Sequence, residues 1–239
     1  NAGTATANAS YAGGTNWFSS SDTKTFTIDR AETTTTVACP ANVTYNGSEQ
    51  KPCTASVIGP GGLDKALTVL YQNNINAGTA TANASYAGGT NWLSSSDMKT
   101  FTIDRAETTT TVTCPASVTY NGSAQTPCTA SVTGPGGLNQ VLTVLYQDNL
   151  NAGTATSNAS YAGGANWLPS TETKNFNIDK AALDITADNK TAQYSDATPA
   201  LTFQYGSFQG SDDAEDINTP PSCSTTRLIS SPAGDYLIT

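Results

Sequence analysis

The sequence has no histidine, a single methionine and few charged side chains, which make up 12% of the residues. Histidine is the commonest general base and the commonest metal ligand, so its absence excludes Ser-His-Asp and Cys-His nucleophile systems. Paired carboxylates could still hydrolyse glycosides, but the only dense acidic cluster is one short run near the C-terminus. We therefore expect a protein that is not an enzyme and needs no cofactor.

The chain also lacks long apolar runs and basic clusters. No segment approaches the roughly 18 consecutive apolar residues of a membrane-spanning helix, so we predict no membrane span. The net charge is −9, and it is uneven: residues 1–180 carry 11 acidic and 8 basic side chains, whereas residues 181–239 carry 8 and 2. Because neither part has a basic stripe, we expect no nucleic-acid partner. The acidic excess is typical of a solvated surface.

The residues that dominate are Thr, Ser, Asn, Ala and Gly, with Tyr and Val in short alternating runs, a composition that favours strands and turns. The sequence repeats with a period of 75 residues: residues 1–17 return unchanged at 76–92, and with two substitutions at 151–167. This period exceeds the roughly 20–50 residues of solenoid repeats, so each copy is predicted to encode a small domain.

The repeat divides the chain into four predicted domains. Residues 31–105 and 106–180 are two complete copies, called repeat 1 and repeat 2 below. Residues 1–30 match the C-terminal part of a repeat, and residues 181–239 differ from the 75-residue unit. We expect the first and last segments to be truncated domains of a polypeptide that continues beyond both ends, with any signal peptide upstream.

Each repeat is predicted to contain about six short strands and no helix. In repeat 1, residues 43–45 run into Asn46-Gly47, a strong hairpin signal, and residues 53–57 are predicted to return antiparallel to them. Residues 67–71 are the most apolar run and are predicted as a central strand. Further strands are predicted at 33–39, 77–86 and 99–103. Short antiparallel strands with frequent turns favour tandem small β-sandwiches, and the short linkers favour an extended rod.

Five cysteines are present, and four of them follow the repeat. Cys39 and Cys53 are 14 positions apart and recur as Cys114 and Cys128, whereas Cys223 stands alone. We predict disulfides within each repeat, across a hairpin or on neighbouring strands, formed in an oxidising compartment. Zinc is the alternative, but two cysteines without histidine cannot complete a four-ligand site locally. Closing a loop of this length stabilises a repeat by roughly 3 kcal/mol.

Motifs in the repeats resemble known extracellular domains. Residues 161–170, Tyr-Ala-Gly-Gly-Ala-Asn-Trp-Leu-Pro-Ser, followed by Phe-Asn-Ile at 176–178, resemble the closing strands of bacterial Ig-like repeat domains from large surface proteins. Residues 118–125, Val-Thr-Tyr-Asn-Gly-Ser-Ala-Gln, are similar to the opening of the same domains and of their MBG relatives. The resemblance implies Ig-like sandwich modules that serve as spacers or adhesive repeats.

The last segment resembles a different class, the MBG-type domain, which implies a β-grasp-like module. The motifs are Leu-Asp-Ile-Thr-Ala-Asp-Asn-Lys-Thr at 183–191, Tyr-Ser-Asp at 194–196 and Gly-Asp-Tyr-Leu-Ile at 234–238. The family pattern usually reads Tyr-Gly-Asp where this chain has Tyr-Ser-Asp. In relatives, a cysteine in the context of Cys223 is often matched by one just after the Tyr-x-Ile-Thr run, so the resemblance implies that Cys223 is unpaired in this piece.

Two sets of residues are candidates for ligand contact. Asp212, Asp213, Glu215 and Asp216 could offer oxygen ligands to calcium, although the run lacks the spacing of a calcium loop and is also typical of solvated carboxylates. Trp17, Trp92 and Trp167 occur once per copy. They could stack on sugars, or each could fill one end of a small core. We favour the core and predict no metal.

These patterns favour a non-enzymatic structural array, a spacer in the stalk or fibre of a large extracellular bacterial surface or secreted protein. Two alternatives remain open. The repeats could bind a glycan or a cell surface by avidity, or the chain could be a subunit of an extracellular filament completed by donor strands. The expected partners are neighbouring repeats, further copies in a fibre, and a glycan or cell surface.

Overall fold

The computed structural model describes all residues from 1 to 239. It is built of β-strands, with two single 3-10 turns at Pro135–Gly137 and Ala214–Asp216. The prediction of an all-β chain of small sheets is confirmed. Thr, Val, Tyr and Phe occur throughout these strands because branched and aromatic side chains suit a pleated surface. The chain forms no helix with both the length and the apolar character needed to cross a membrane.

Residues 1–30 form one antiparallel hairpin. Strand β1 (Gly3–Tyr11) pairs with β2 (Ser20–Ile28) along its whole length, from Gly3 opposite Ile28 to Tyr11 opposite Ser20. Almost every side chain of the hairpin is exposed, including the large apolar ones: Phe26 is 56% exposed and Ile28 is 41% exposed. The hairpin therefore has an apolar face that no other element buries.

Repeat 1 forms two sheets. Its strands are β3 (Thr34–Ala38), β4 (Asn42–Thr44), β5 (Thr54–Gly59), β6 (Leu63–Ala66), β7 (Leu70–Gln72), β8 (Gly78–Tyr86) and β9 (Ser95–Asp104). One sheet has the order β3-β5-β6 and the other β4-β9-β8-β7. Neighbouring strands are antiparallel except at one edge, where β4 runs parallel to β9.

The core of repeat 1 is formed by alternate residues of its strands. On β8 every second residue is a buried alanine, and β9 contributes Phe101 and Ile103, which are 2% and 1% exposed. Val37 and Ala55 belong to the same core cluster from the other sheet. Burial of one face and exposure of the other is what period-two alternation specifies.

Repeat 2 has the same plan. Its strands are β10 (Thr109–Thr113), β11 (Ser117–Thr119), β12 (Thr129–Gly134), β13 (Leu138–Leu142), β14 (Leu145–Gln147), β15 (Gly153–Tyr161) and β16 (Ser170–Asp179). The sheet orders are β10-β12-β13 and β11-β16-β15-β14. Phe176 and Ile178 are buried as their counterparts are in repeat 1.

Residues 181–239 contain little regular structure. Strand β17 (Ile185–Ala187) pairs antiparallel with β18 (Phe203–Tyr205), and Thr225 forms an isolated antiparallel bridge with Ile238. The ring of Tyr205 contacts those of Phe203 and Phe208, with centroids 5.2 and 5.3 Å away.

The chain divides into two compact units. The first comprises residues 1–109 together with 133–139 and 162–170, and the second comprises 110–132, 140–161 and 171–239. The first unit thus takes in two loops of repeat 2, which contact repeat 1 as described below.

Two expectations about strand pairing are wrong. Residues 43–45 and 53–57 do not form a hairpin, because β4 pairs with β9 while β5 pairs with β3. The Asn46-Gly47 turn exists, with Gly47 at a φ of 82°, but the chain after it crosses to the other sheet. Residues 67–71 were expected in a central strand, whereas β7 lies at the edge of its sheet.

Candidate functional site at the repeat junction

The most elaborate side-chain arrangement lies where repeat 1 meets two loops of repeat 2. Residues 45–47 of repeat 1, Tyr-Asn-Gly, are called the tip. The tip begins directly after β4, and the Tyr45 amide donates to the Asp104 carbonyl, 2.9 Å away. The Asn46 side chain then accepts from the Ser48 amide at 2.9 Å, closing the local turn. These bonds fix the direction of the Tyr45 side chain, which is 7% exposed.

Pro135, Gly136 and Trp167 of repeat 2 form the surface that the tip contacts, called the receptor. The Trp167 indole N–H donates to the Pro135 carbonyl at 2.8 Å. The Trp167 ring meets the Tyr45 ring edge-on, with centroids 5.6 Å apart and planes at 86°. This geometry aligns the positive edge of one ring with the negative face of the other.

Two glycines make the close approach of tip and receptor sterically allowed. A Cβ atom on Gly47 would lie 2.3 Å from the Cα of Gly136, and a Cβ on Gly136 would lie 2.6 Å from the Tyr45 hydroxyl. Both glycines also have a positive φ, 82° and 73°, a backbone conformation that residues other than glycine rarely adopt. Any larger residue at either position would push the two loops apart.

The Asn166 side chain completes the junction between the repeats, next to backbone bonds that hold the first residue of repeat 2. Ala106, which is 1% exposed, donates its amide to the Asn166 carbonyl at 2.9 Å, and its carbonyl accepts from the Leu168 amide at 2.8 Å. The Asn166 side chain accepts from the Ala77 amide at 2.9 Å and donates to the Asn76 side chain at 3.1 Å. Ala106, the first residue of repeat 2, therefore forms a short parallel bridge with Trp167 of the same repeat.

The hairpin of residues 1–30 meets repeat 1 through the side chain of Asn91, as repeat 1 meets repeat 2 through Asn166. Ala31 donates to the Asn91 carbonyl and accepts from the Leu93 amide, each at 2.8 Å, and the Asn91 side chain accepts from the Ala2 amide at 2.7 Å. Trp92 donates its indole N–H to the Pro60 carbonyl at 2.9 Å. Pro60, Gly61 and Trp92 thus form a receptor in repeat 1 that is built like the receptor of repeat 2. No tyrosine lies on it, and nothing lies within 4 Å of a Cβ placed on Gly61.

The tip of repeat 2 meets a different surface, within residues 181–239. The Tyr120 hydroxyl donates to an Asp212 carboxylate oxygen at 2.7 Å, and this hydrogen bond raises the pKa of Tyr120. A Cβ atom on Gly122 would lie 2.5 Å from the Cα of Gly210, which has a φ of 60°. The tip therefore meets a positive-φ glycine again, with a carboxylate in place of the tryptophan.

The acidic run that contains Asp212 is held by local hydrogen bonds. Asp213 accepts from the Glu215 amide at 2.8 Å, and Asp216 accepts from the Asp213 amide at 2.9 Å, forming a capping box around the 3-10 turn. The structure contains no group of three or more acidic, cysteine or histidine side chains arranged to hold a metal ion. Asp212 instead accepts the hydrogen bond from Tyr120 in the tip of repeat 2.

The four repeated cysteines lie in pairs on neighbouring strands. Cys39 is joined to Cys53, and Cys114 to Cys128, each with Cα atoms 4.3 Å apart. Each bridge lies next to the pairing of the first and third strands of its repeat. The Tyr71 hydroxyl accepts from the Cys53 amide at 2.9 Å and donates to the Cys53 carbonyl at 3.0 Å. Cys223 is a free thiol, half-buried beside the Thr202 carbonyl.

The three tryptophans differ in their surroundings. Trp92 and Trp167 are half-buried, and Trp167 packs against the core of repeat 1. Trp17 is 75% exposed. The sequence identified these residues but not their partners on the tip. The available signal was that Tyr-Asn-Gly and Gly-Pro-Gly-Gly each recur once per complete repeat.

Comparison with known families finds a match in the C-terminal segment. Residues 183–239 match the family model of the MBG domain, YGX type. No curated protein matches the chain. MBG domains are typical of extracellular surface proteins, and two disulfides are compatible with that location. The segment that receives the tip of repeat 2 is therefore similar to MBG domains of the YGX type.

Proposed function

We propose that this chain is a non-enzymatic structural array, a spacer segment in the stalk or fibre of a large extracellular bacterial surface or secreted protein. The observation that carries the proposal is the tip contact, which occurs at the end of both complete repeats. Side chains found once per repeat are used to join one unit to the next. Such use fits a protein whose work depends on the order and spacing of its domains.

The environment of the tryptophans favours a spacer over a glycan-binding array. A ring that stacks on sugar needs a free face. Trp167 has its indole N–H bonded to Pro135 and its ring against Tyr45. Trp92 has its N–H bonded to Pro60 in the same way. In the repeats, these groups are used for structure.

The disulfides support the same role. Each bridge closes a loop of 14 positions next to the core, which stabilises the repeat by roughly 3 kcal/mol in the chain-entropy model. Domains of about 75 residues that bury many alanines have small cores, so this contribution is a large fraction of their stability. Resistance to unfolding and to proteases is what an extracellular spacer requires.

A glycan array tests the proposal against adhesion. The wild-type chain and the variants Trp17→Ala, Trp92→Ala and Trp167→Ala should all show no saturable binding. Saturable binding that the Trp92 and Trp167 variants lose would instead assign an adhesive function. Limited proteolysis supplies a positive readout, because the oxidised array should keep residues 31–180 intact and lose them after reduction.

A further inference from the structure

Asparagine followed by glycine occurs at two places in the chain, Asn46-Gly47 and Asn121-Gly122, which are the tips of the two repeats. Every other asparagine precedes a residue that has a side chain. Because glycine has no Cβ, its amide nitrogen can approach the side chain before it with little steric hindrance. The tips are therefore the positions at which an asparagine side chain is least protected from attack by the main chain.

The hydrogen bonds of the tip favour such an attack. The Gly47 amide, which would be the nucleophile, donates no hydrogen bond. The Asn46 side-chain carbonyl, which would be the electrophile, accepts from the Ser48 amide at 2.9 Å. A donor at that oxygen stabilises the negative charge that develops there during attack. Asn46 is also exposed, so water reaches it. In repeat 2, the Ser123 amide donates to the Asn121 side chain in the same way, at 3.0 Å.

The receptor opposes the reaction while the tip lies on it. To reach the side-chain carbon of Asn46, the Gly47 nitrogen must turn, and the backbone of the tip turns with it. A Cβ placed on Gly47 would lie 2.3 Å from the Cα of Gly136, so the closed junction leaves little space for that movement. The Tyr45 ring is also held against Trp167. Because closely packed groups cannot move singly, cyclisation requires the tip to leave the receptor.

We propose that Asn46 and Asn121 are sites of spontaneous deamidation, which takes place when a tip leaves the surface it contacts and then prevents its return. The glycine amide nitrogen bonds to the side-chain carbon of the asparagine. The side-chain amide leaves as ammonia and takes the proton of the glycine amide, so a cyclic succinimide remains. Water then adds to one of the two ring carbonyls, and a proton returns to the glycine nitrogen. The products are aspartate and isoaspartate, and no oxidant, reductant or enzyme is needed.

Isoaspartate changes the length of the main chain in the tip. The chain then runs through the former side chain, which inserts a methylene between the Cα of residue 46 and the Gly47 nitrogen. This insertion falls where the tip and the receptor are closest, at Gly47 and Gly136. Extra atoms in a closely packed contact force the groups apart. Opening of the junction thus allows the modification, and the isoaspartate product prevents closure.

Ageing of the full chain in mildly alkaline buffer, followed by peptide mapping and isoaspartyl methyltransferase labelling, tests the sites. We expect aspartate and isoaspartate at positions 46 and 121 before any other asparagine reacts. Trp167→Ala removes the ring that holds Tyr45 and leaves the tip sequence unchanged. It should speed the reaction at position 46 by about 10-fold relative to position 121 in the same molecule. Faster reaction at other asparagines, or none at the tips, would overturn the proposal.

Variants of the contacting surfaces separate the two tips. Gly136→Ala, which clashes with the tip of repeat 1, should speed the reaction at position 46, whereas Gly61→Ala, which meets nothing within 4 Å, should not. Asp212→Ala removes the partner of Tyr120, so it should speed the reaction at position 121 and leave position 46 unchanged. If the ratio of the two rates stayed the same in all these variants, the reaction would not require opening, and the proposal would be wrong.

The effect of the product on the junction is measured on aged protein after chromatographic separation of its forms. In the form with isoaspartate at position 46, the nuclear Overhauser effects between the Tyr45 and Trp167 rings should be lost. Asn46→Asp is the matched control, because it adds the same charge without the extra methylene, and it should keep them. Ring contacts that persist in the isoaspartate form would overturn the proposal, as would their loss in Asn46→Asp, since charge alone would then open the junction.

Discussion

At the scale of single residues, Gly61 and Gly136 form a natural pair for comparison. Both have a φ of 73° and both belong to a Gly-Pro-Gly-Gly loop. A Cβ on Gly136 would clash with Tyr45, whereas a Cβ on Gly61 meets nothing within 4 Å. The backbone strain of a substitution is therefore the same at both positions, and only the junction contact differs.

Gly136→Ala should destabilise the junction more than Gly61→Ala. Each alanine pays about 1 kcal/mol for its positive φ, and we expect roughly 1–3 kcal/mol more at position 136 from overpacking against the tip. Denaturant unfolding measures the difference, and amide exchange at Ala106 locates it. Equal losses in the two variants would show that the tip and the receptor do not stabilise each other.

Ser195 is a second residue whose backbone conformation suggests a substitution. Its φ is 74°, a conformation that costs an L-residue roughly 1–2 kcal/mol, and it stands where the MBG pattern has glycine. Ser195→Gly should therefore stabilise residues 181–239 by about 1 kcal/mol, partly offset by the greater freedom of glycine in the unfolded chain. Calorimetry should show the affected transition at higher temperature, and an unchanged or lower midpoint would contradict the prediction.

At the scale of elements, a carboxylate ties the two sheets of each repeat together. In repeat 1, Asp97 on β9 accepts from the Val37 amide on β3 at 2.8 Å. In repeat 2, Glu172 on β16 accepts from the Val112 amide on β10. The hydrogen bond from Val37 lowers the pKa of Asp97 below its ordinary value. This contact links strands that belong to different sheets.

The stabilising effect of Asp97 should depend on pH in a defined direction. Because its pKa is lowered in the folded state, its contribution is complete above the ordinary value of 3.8 and is lost as the pH falls through the lower folded pKa. Asp97→Asn should thus be less stable than wild type at pH 6, and the two should converge as the pH falls through the lowered pKa of Asp97. Urea unfolding over this range measures the gap.

The control for this titration is Asp22→Asn. Asp22 is the counterpart of Asp97 in the hairpin, where its carboxylate bonds only the next amide and Lys24. This variant should be as stable as wild type at pH 6, because Asp22 makes no hydrogen bond between sheets. If the difference in free energy of unfolding between wild type and Asp97→Asn stayed constant down to pH 2, the carboxylate charge would play no part in the stability of the repeat.

Strand existence could be predicted from the sequence, but strand partners could not. The alternation of Ala with Thr or Asn at 78–86 correctly marks β8, and Phe101 and Ile103 correctly mark the buried face of β9. Alternation states which side of a strand is buried without stating which sheet contains it. The Asn46-Gly47 turn was therefore interpreted as a hairpin, although β4 leaves to pair in parallel with β9.

The same limit applies to the junction. Trp167 is identifiable because it occurs once per copy, yet its partner Tyr45 lies 122 positions earlier, on another repeat. A repeating sequence offers the same tyrosine in its own repeat and in the neighbouring one. Only the structure distinguishes a contact within a repeat from a contact between repeats.

At the scale of the whole molecule, the two disulfides limit how far the chain can be extended. Each bridge removes a loop of 14 positions from the extensible length. In force spectroscopy with the ends pulled apart, reduction should lengthen two unfolding steps by about 45 Å each. A Cys39→Ser, Cys53→Ser double variant should lengthen one step only without reductant. Step lengths that do not respond to reduction would contradict this prediction.

The tip has an evolutionary consequence. The tip of repeat 1 is received by a loop and tryptophan of another repeat, whereas the tip of repeat 2 is received by Asp212 and Gly210 of an MBG-like segment. The same tip sequence therefore packs against two kinds of following domain. Inserting or deleting a whole repeat thus creates no interface that the chain does not already contain. Unequal recombination between near-identical copies can thus change the number of repeats without disrupting folding. Natural variants of the gene should differ by multiples of 75 codons.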